Sequence, residues 1–176
     1  SKVWREIEFA KFAKKYPDQF LTLIDHNFVK NCKHKQKLPT NFVFMNQGDY
    51  KKWKKYQSSP DCITFIYNLM DGTLNTLIEK LTKQQLYSCI VQVVYALYLL
   101  TINGYRHNDA HLGNILYKKV PHNKTIKILG KDIPTFGYIY SLADYGELTH
   151  NKYILNNHEK RNMKYIIIGN GVAGTT

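Results

Sequence analysis

Over the first fifteen positions, Val3, Ile7, Phe9, Ala10, Phe12 and Ala13 recur at the three- and four-residue spacing of one helix face, and Pro17 comes soon after. This pattern predicts an amphipathic helix from Val3 to about Lys15 with a stop signal behind it. Residues 20–24 and 41–45 are short β-compatible runs, and the Lys-rich stretch between them reads as a loop or hairpin end. Residues 62–70 form a continuous apolar run of strand length that breaks at the turn pair Asp71-Gly72. Two helices are expected next, over 74–81 and 83–103; the second is apolar almost all round, the mark of a buried helix, and Gly104 ends it. Residues 115–120 and 138–143 read as short strands around a polar insert, and no internal repeat or low-complexity segment interrupts the chain.

Composition sharpens this picture in three ways. With 176 residues, 44% apolar and 14% aromatic, the chain can bury one sizeable core, which excludes a disordered protein. A net charge of +12 suits phosphates, nucleic acid or anionic lipid surfaces without choosing among them. Local Lys clusters at 30–37 and 51–55 read first as solvated surface, with nucleic acid kept as a further partner class. The three cysteines, Cys32, Cys62 and Cys89, lack C-x-x-C spacing and read as reduced thiols. The longest apolar run, about 89–102, is broken by Gln92 and is shorter than a bilayer span, so no membrane partner is expected. The chain opens on Ser inside a helical pattern, as an excerpt from a longer protein would.

The candidate chemistry lies in His107-Asn108-Asp109-Ala110-His111-Leu112-Gly113-Asn114, which spaces an Asp and an Asn five residues apart between the apolar helix and the strand opened by Ile115-Leu116. Further on, Tyr140-Ser141-Leu142-Ala143-Asp144-Tyr145-Gly146 puts a second Asp at the end of an apolar strand. Alone, each Asp or Asn is an ordinary turn residue. Together the two segments resemble the H-x-D-x-x-x-x-N and D-F-G signatures of the protein-kinase-like superfamily. The resemblance implies an α+β chain with a partial protein-kinase-like fold. Residues 1–70 would be the end of the small lobe, 71–150 the first half of the helical large lobe, and 151–176 a tail of uncertain origin. The Gly-rich loop and the phosphate-gripping strand Lys would lie upstream, the later large-lobe helices downstream.

The same resemblance implies ATP- and Mg²⁺-dependent phosphotransfer, which asks a protein mainly for an oriented nucleophile and for metal to hold charge on the phosphates. Asp109 would orient and deprotonate the acceptor hydroxyl. Asn114 would give an amide oxygen and Asp144 the main carboxylate to the metal, with Gly146 allowing a tight turn behind it. Glu6, with Glu8 as runner-up and a plain solvated Glu as the alternative, would pair with the missing Lys. Tyr67, Asn68 and Leu69 resemble the hinge whose backbone bonds adenine; Leu116 matches the apolar floor under the base, though a strand Leu is also ordinary core. His107 would pack against the Asp-Tyr-Gly segment. His111 stands where many protein kinases have Lys, as in atypical kinases and small-molecule phosphotransferases of the aminoglycoside and choline kinase type. It would lie near the transferred phosphate or pack within its loop. Asn108 replaces an Arg, which speaks against control by a phosphorylated activation segment.

Two features depart from the family pattern. Asn114 and Asp144 lie 30 residues apart, about twice the usual separation. The extra sequence, with the Lys-, Asn-, Ile- and Tyr-heavy composition, resembles kinase-like proteins of large nucleocytoplasmic DNA viruses. With the cysteines read as reduced thiols of a cytosolic-type compartment, the expected setting is cytoplasmic, in an infected host cell or a virion. Residues 163–176 run an apolar strand into G-x-G-x-x-G and resemble the first strand and turn of an FAD- or NAD-dependent oxidoreductase. The sequence stops two residues after the third Gly, without the helix or acidic residue that would complete dinucleotide binding. The leading expectation is a Ser/Thr-directed protein kinase of which this piece alone is weakly active or inactive. Its rivals are a small-molecule kinase, a pseudokinase scaffold and a nucleic-acid binder, and the oligomeric state is not encoded legibly.

Overall fold

The computed structural model describes residues 2–30, 47–48, 50–51, 54 and 61–151. The strand expected at 41–45, most of the two Lys clusters and the glycine-rich tail lie outside them. Cα packing separates residues 24–66 from a larger unit that holds the N-terminal residues through Leu23 and the described chain from Tyr67 onward.

Helix α1 (Lys2–Ala13) opens the larger unit. Its face of Phe9, Ala10, Phe12 and Ala13 is buried, as the spacing predicts. Phe9 and Phe12 meet Phe20, Tyr105 and Tyr145 at ring-centroid distances of 4.3 to 5.6 Å, so the helix is held by an aromatic cluster. After Pro17 the chain makes a single bridge from Phe20 to Leu142. The strand expected at 20–24 instead begins at Leu23, as β1 (Leu23–Val29), and pairs with β2 (Cys62–Tyr67). Within residues 24–66, Thr64 Oγ1 donates to the Asn27 carbonyl at 3.3 Å.

Asp71 forms the expected bend. Its own N–H donates to the Tyr117 carbonyl, and its carboxylate accepts the Lys119 N–H at 2.7 Å. Strand β3 (Gly72–Thr73) then leads into the short helix α2 (Leu74–Leu77) and a 3₁₀ turn, Ile78–Lys80. Helix α3 (Lys83–Ile102) starts at a capping box, in which Thr82 and Gln85 exchange side-chain-to-backbone hydrogen bonds at 3.3 and 3.0 Å. It matches the helix expected over 83–103, ending one residue earlier. At 20 residues it is, by length and composition alone, long and apolar enough to cross a membrane. Here Cys89, Val93, Ala96, Leu97, Leu99 and Leu100 bury one face in the core.

Strand β4 (Tyr105–Arg106) comes next, and the sheet that α3 supports has the antiparallel order β3, β5 (Ile115–Lys119), β8 (Tyr138–Leu142). Leu116 pairs with Thr73 on one side and Ser141 on the other. The buried Gln92 amide fastens helix to sheet. It accepts the Tyr140 N–H at 3.0 Å and donates to the Tyr138 carbonyl at 3.1 Å, so a polar break in the apolar helix is satisfied by strand backbone.

The polar insert is itself a hairpin, β6 (Thr125–Ile128) and β7 (Lys131–Pro134). Leu129 and Gly130 turn it at φ of 49° and 79°, the doubly left-handed geometry of a tight two-residue turn. Ile126 and Ile128 meet Ile139 in a small second core under Val91 and Tyr95. A further pair, β4 with β9 (Thr149–His150), closes the described chain. The reading of three reduced thiols is corrected at Cys62, which is disulfide-bonded. Cys89 is free, and burial pushes its thiol up to about 12, so it stays protonated and inert.

Candidate active site

Asp109 and Asn114 are brought together by one tight loop. The N–H of His111 donates to the Asp109 carbonyl at 3.0 Å, and the N–H of Asn114 to the His111 carbonyl at 2.9 Å. These turns fold the Asn114 side chain back, and its Nδ2 donates to both the carbonyl (3.0 Å) and Oδ2 (3.2 Å) of Asp109. Gly113 lets the His111 ring lie close over the loop. A Cβ there would lie 2.9 Å from His111 Cε1. The Gly113 N–H donates to His111 Nδ1 at 3.1 Å, so the neutral ring carries its proton on Nε2. That nitrogen faces Asp109 Oδ1 at 3.8 Å. The side chains of His111 and Asp109 are 51% and 45% exposed, so this end of the loop is open to solvent.

The segment carrying Asp144 is laced to the same loop. Ala143 N–H donates to the Asn114 carbonyl at 2.9 Å, and the Ala143 carbonyl accepts from His107 Nε2 at 2.9 Å. His107 is 3% exposed and its ring lies 6.0 Å from that of Tyr145, as expected of a packing residue. Burial lowers its pKa, because a charged ring would lose its hydration there. Asp144 adopts φ 59°, a left-handed conformation that Asp tolerates better than most side chains. Its Oδ1 accepts the Gly146 N–H at 3.2 Å. Tyr145 is buried, with its hydroxyl donating to the Leu142 carbonyl.

Asn114 Oδ1 and Asp144 Oδ2 are the oxygens not used by these bonds. An amide oxygen and a carboxylate suit a hard, oxygen-seeking ion such as Mg²⁺, which keeps waters or phosphate oxygens as its remaining ligands. No cluster of three or more His, Cys, Asp or Glu exists among the described residues, so a closed protein cage for a transition metal is not built there.

Glu6 reaches this end of the molecule from α1. Its Oε2 accepts from the Tyr67 hydroxyl at 3.2 Å, and its Oε1 would lie 3.5 Å from a Cβ on Gly146. Half-burial raises the Glu6 pKa; the Tyr67 hydrogen bond lowers it, and the nearby Asp144 charge raises it again. Tyr67 is raised as well, by burial and then by Glu6. Glu8, the runner-up, is exposed. Asn68 donates its N–H to the Thr22 carbonyl at 3.4 Å, Leu69 is 90% exposed, and Leu116 is half-buried in the middle strand.

The structure thus brings together Asp109, His111, Asn114 and Asp144, with the Glu6–Tyr67 pair near the Asp144 end. The Glu6–Tyr67 bond and the role of Gly113 are not legible in the sequence. The spacing His111-x-Gly113 is the available signal for the second; nothing in the pattern signals the first, which depends on where α1 packs.

No family model matches the chain, and no curated protein does. Among solved structures, the chain is similar to the granulovirus kinase PK-1 of Cydia pomonella granulovirus, with 21% identity and a TM-score of 0.47 over 82% of this chain. The chain spans 38% of that kinase's length. At such a score and identity the likeness fixes neither fold nor chemistry, which rest on the geometry above.

Proposed function

We propose that this chain carries the acceptor- and metal-binding part of an ATP- and Mg²⁺-dependent phosphotransferase of protein-kinase-like fold, with a Ser or Thr hydroxyl of a protein as acceptor. The observation that carries the reading is the double bond from Asn114 Nδ2 to Asp109, made while Ala143 beside Asp144 is fastened to the Asn114 carbonyl. One loop thereby presents a carboxylate on one side and an amide oxygen on the other, next to a second carboxylate.

In this reading Asp109 holds the acceptor hydroxyl and takes its proton as the oxygen becomes a nucleophile. Asn114 and Asp144 would hold Mg²⁺, which when bound neutralises charge on the phosphates. Glu6 would meet the ammonium of a Lys from a segment preceding α1, with Tyr67 holding the carboxylate meanwhile. Backbone groups of Tyr67, Asn68 and Leu69 would edge the adenine, with Leu116 beneath it. Residues 1–70 then correspond to the end of a small lobe and 71–150 to the first half of a large one.

A second reading, a small-molecule alcohol kinase, is favoured by His111, whose Nε2 proton faces the Asp109 carboxylate rather than solvent alone. The test is labelled-phosphate transfer from Mg-ATP by the full-length protein to Ser/Thr proteins and to choline- and aminoglycoside-like alcohols. Transfer to protein supports the first reading, and transfer to alcohols alone replaces it with the second. Nucleotide binding without transfer to either class overturns both in favour of a scaffold that keeps the fold without turnover.

A further inference from the structure

The stretch beyond Gly146 is zipped onto the chain that leads into Asp109. Tyr105 pairs with His150 and Arg106 with Thr149. The Asn151 N–H donates to the Gly104 carbonyl at 3.0 Å, and Arg5 on α1 donates from Nη1 to the Leu148 carbonyl at 3.2 Å. Asn108 adds a bond of a different kind. At φ 62° it takes the left-handed turn that Asn accepts more readily than other non-glycine residues. Its Nδ2 donates to the Glu147 carbonyl at 2.9 Å and to Thr149 Oγ1 at 3.0 Å.

Asn108 immediately precedes Asp109, while Glu147 and Thr149 come three and five residues after Asp144. One neutral side chain therefore spans the two segments that bear the candidate carboxylates. We propose that Asn108 is a positioning residue for the phosphotransfer reaction, its amide fixing the Asp109 loop against the Asp144 segment. This rests on the phosphotransferase reading.

The chemistry selects an amide. Nδ2 has two hydrogens for two acceptors, whereas an isosteric carboxylate donates nothing and would turn an oxygen toward the Glu147 carbonyl. Because the tether is neutral at both ends, it needs no charged or modified group on the later segment. The His107 and Asn114 bonds to Ala143 hold the near end independently, so loss of Asn108 loosens residues 147–151 without releasing Ala143.

The test combines amide hydrogen exchange with steady-state phosphate transfer in the full-length protein. Asn108→Gly keeps the left-handed turn and removes the side chain; Asn108→Asp keeps the shape and removes the donors. Both should speed exchange of the Asn151 amide and lower kcat by roughly ten-fold, the order expected for two net hydrogen bonds, with KM for ATP unchanged. Thr149→Val should give a smaller effect of the same kind and Thr149→Ser restore wild-type values; this pair also serves if an Asn108 variant fails to fold. Unchanged exchange, or faster exchange with unchanged kcat, overturns the role. A wild type that transfers nothing overturns the phosphotransferase reading along with it, whereas an active wild type with an equally active Asn108→Gly overturns this role alone.

Discussion

The Asn114 side-chain amide donates to both the carbonyl and the carboxylate of Asp109, at 3.0 and 3.2 Å. Two residues five apart in sequence are thereby locked into one unit, with the amide oxygen and one carboxylate oxygen left for other partners. Replacing Asn114 with Ala removes both bonds. We expect a stability loss of about 1–3 kcal/mol, from the lost bonds at a half-buried site, and a raised Mg²⁺ requirement for transfer. Chemical denaturation and a metal titration of the transfer rate check the two effects separately; an unchanged metal requirement would take Asn114 out of the ligand set.

Gly113→Ala isolates His111. The added Cβ would meet the imidazole edge at 2.9 to 3.0 Å, but that ring is half exposed and can swing away. The melting temperature should hardly move, while the Gly113 N–H to Nδ1 bond is lost. If His111 aids transfer, Gly113→Ala and His111→Ala should lower kcat by similar factors. Full activity in both would leave His111 as a loop-packing residue.

Glu6 gives a pH-dependent prediction. Its pKa is raised from 4.5, burial being the largest cause, so the folded state penalises the ionised form. As pH falls through the raised value toward 4.5, the folded chain takes up a proton before the unfolded chain does, and stability rises on this account. Glu6→Gln removes the penalty. Its melting temperature should exceed the wild type's at pH 7 and converge with it below pH 4.5; a variant less stable at pH 7 would mean that an ionised Glu6 is paired more favourably than its surroundings indicate.

His107 acts with the opposite sign. Its pKa is lowered by burial from 6.5, so below that value the unfolded chain gains a proton that the folded ring refuses, and stability falls with pH. His107→Gln, which keeps a donor for the Ala143 carbonyl, should flatten the decline in melting temperature between pH 7 and 5.5. An equally steep decline would place the responsible group elsewhere.

Much of this architecture is legible in the sequence because it arises from local pattern. The face of α1, the extent of α3 to within a residue or two and the strands that flank the insert come directly from hydrophobic spacing, and Asp71-Gly72 marks a turn by its chemistry. The β6–β7 hairpin is harder to see. Its turn is Leu129-Gly130 rather than Asn-Gly, and a non-glycine residue at φ 49° is not a composition signal. The two-residue strands β4 and β9 are too short for any period to register. At the site, the order Asp109, Asn114, Asp144 is visible, but the Glu6–Tyr67 bond joins residues 61 apart and depends on tertiary packing. The disulfide at Cys62 is equally invisible to spacing alone.

The most direct measurement is labelled-phosphate transfer from Mg-ATP by the full-length protein, comparing wild type, Asp109→Asn and Asp144→Asn. The wild type should transfer phosphate, and Asp109→Asn should lower kcat roughly 10²–10⁴-fold, the usual cost of losing a general base, with nucleotide affinity retained. Asp144→Asn should lose transfer through weakened Mg²⁺ binding. Phosphate transfer that proceeds equally well after Asp109→Asn would contradict the role of this loop as the catalytic centre.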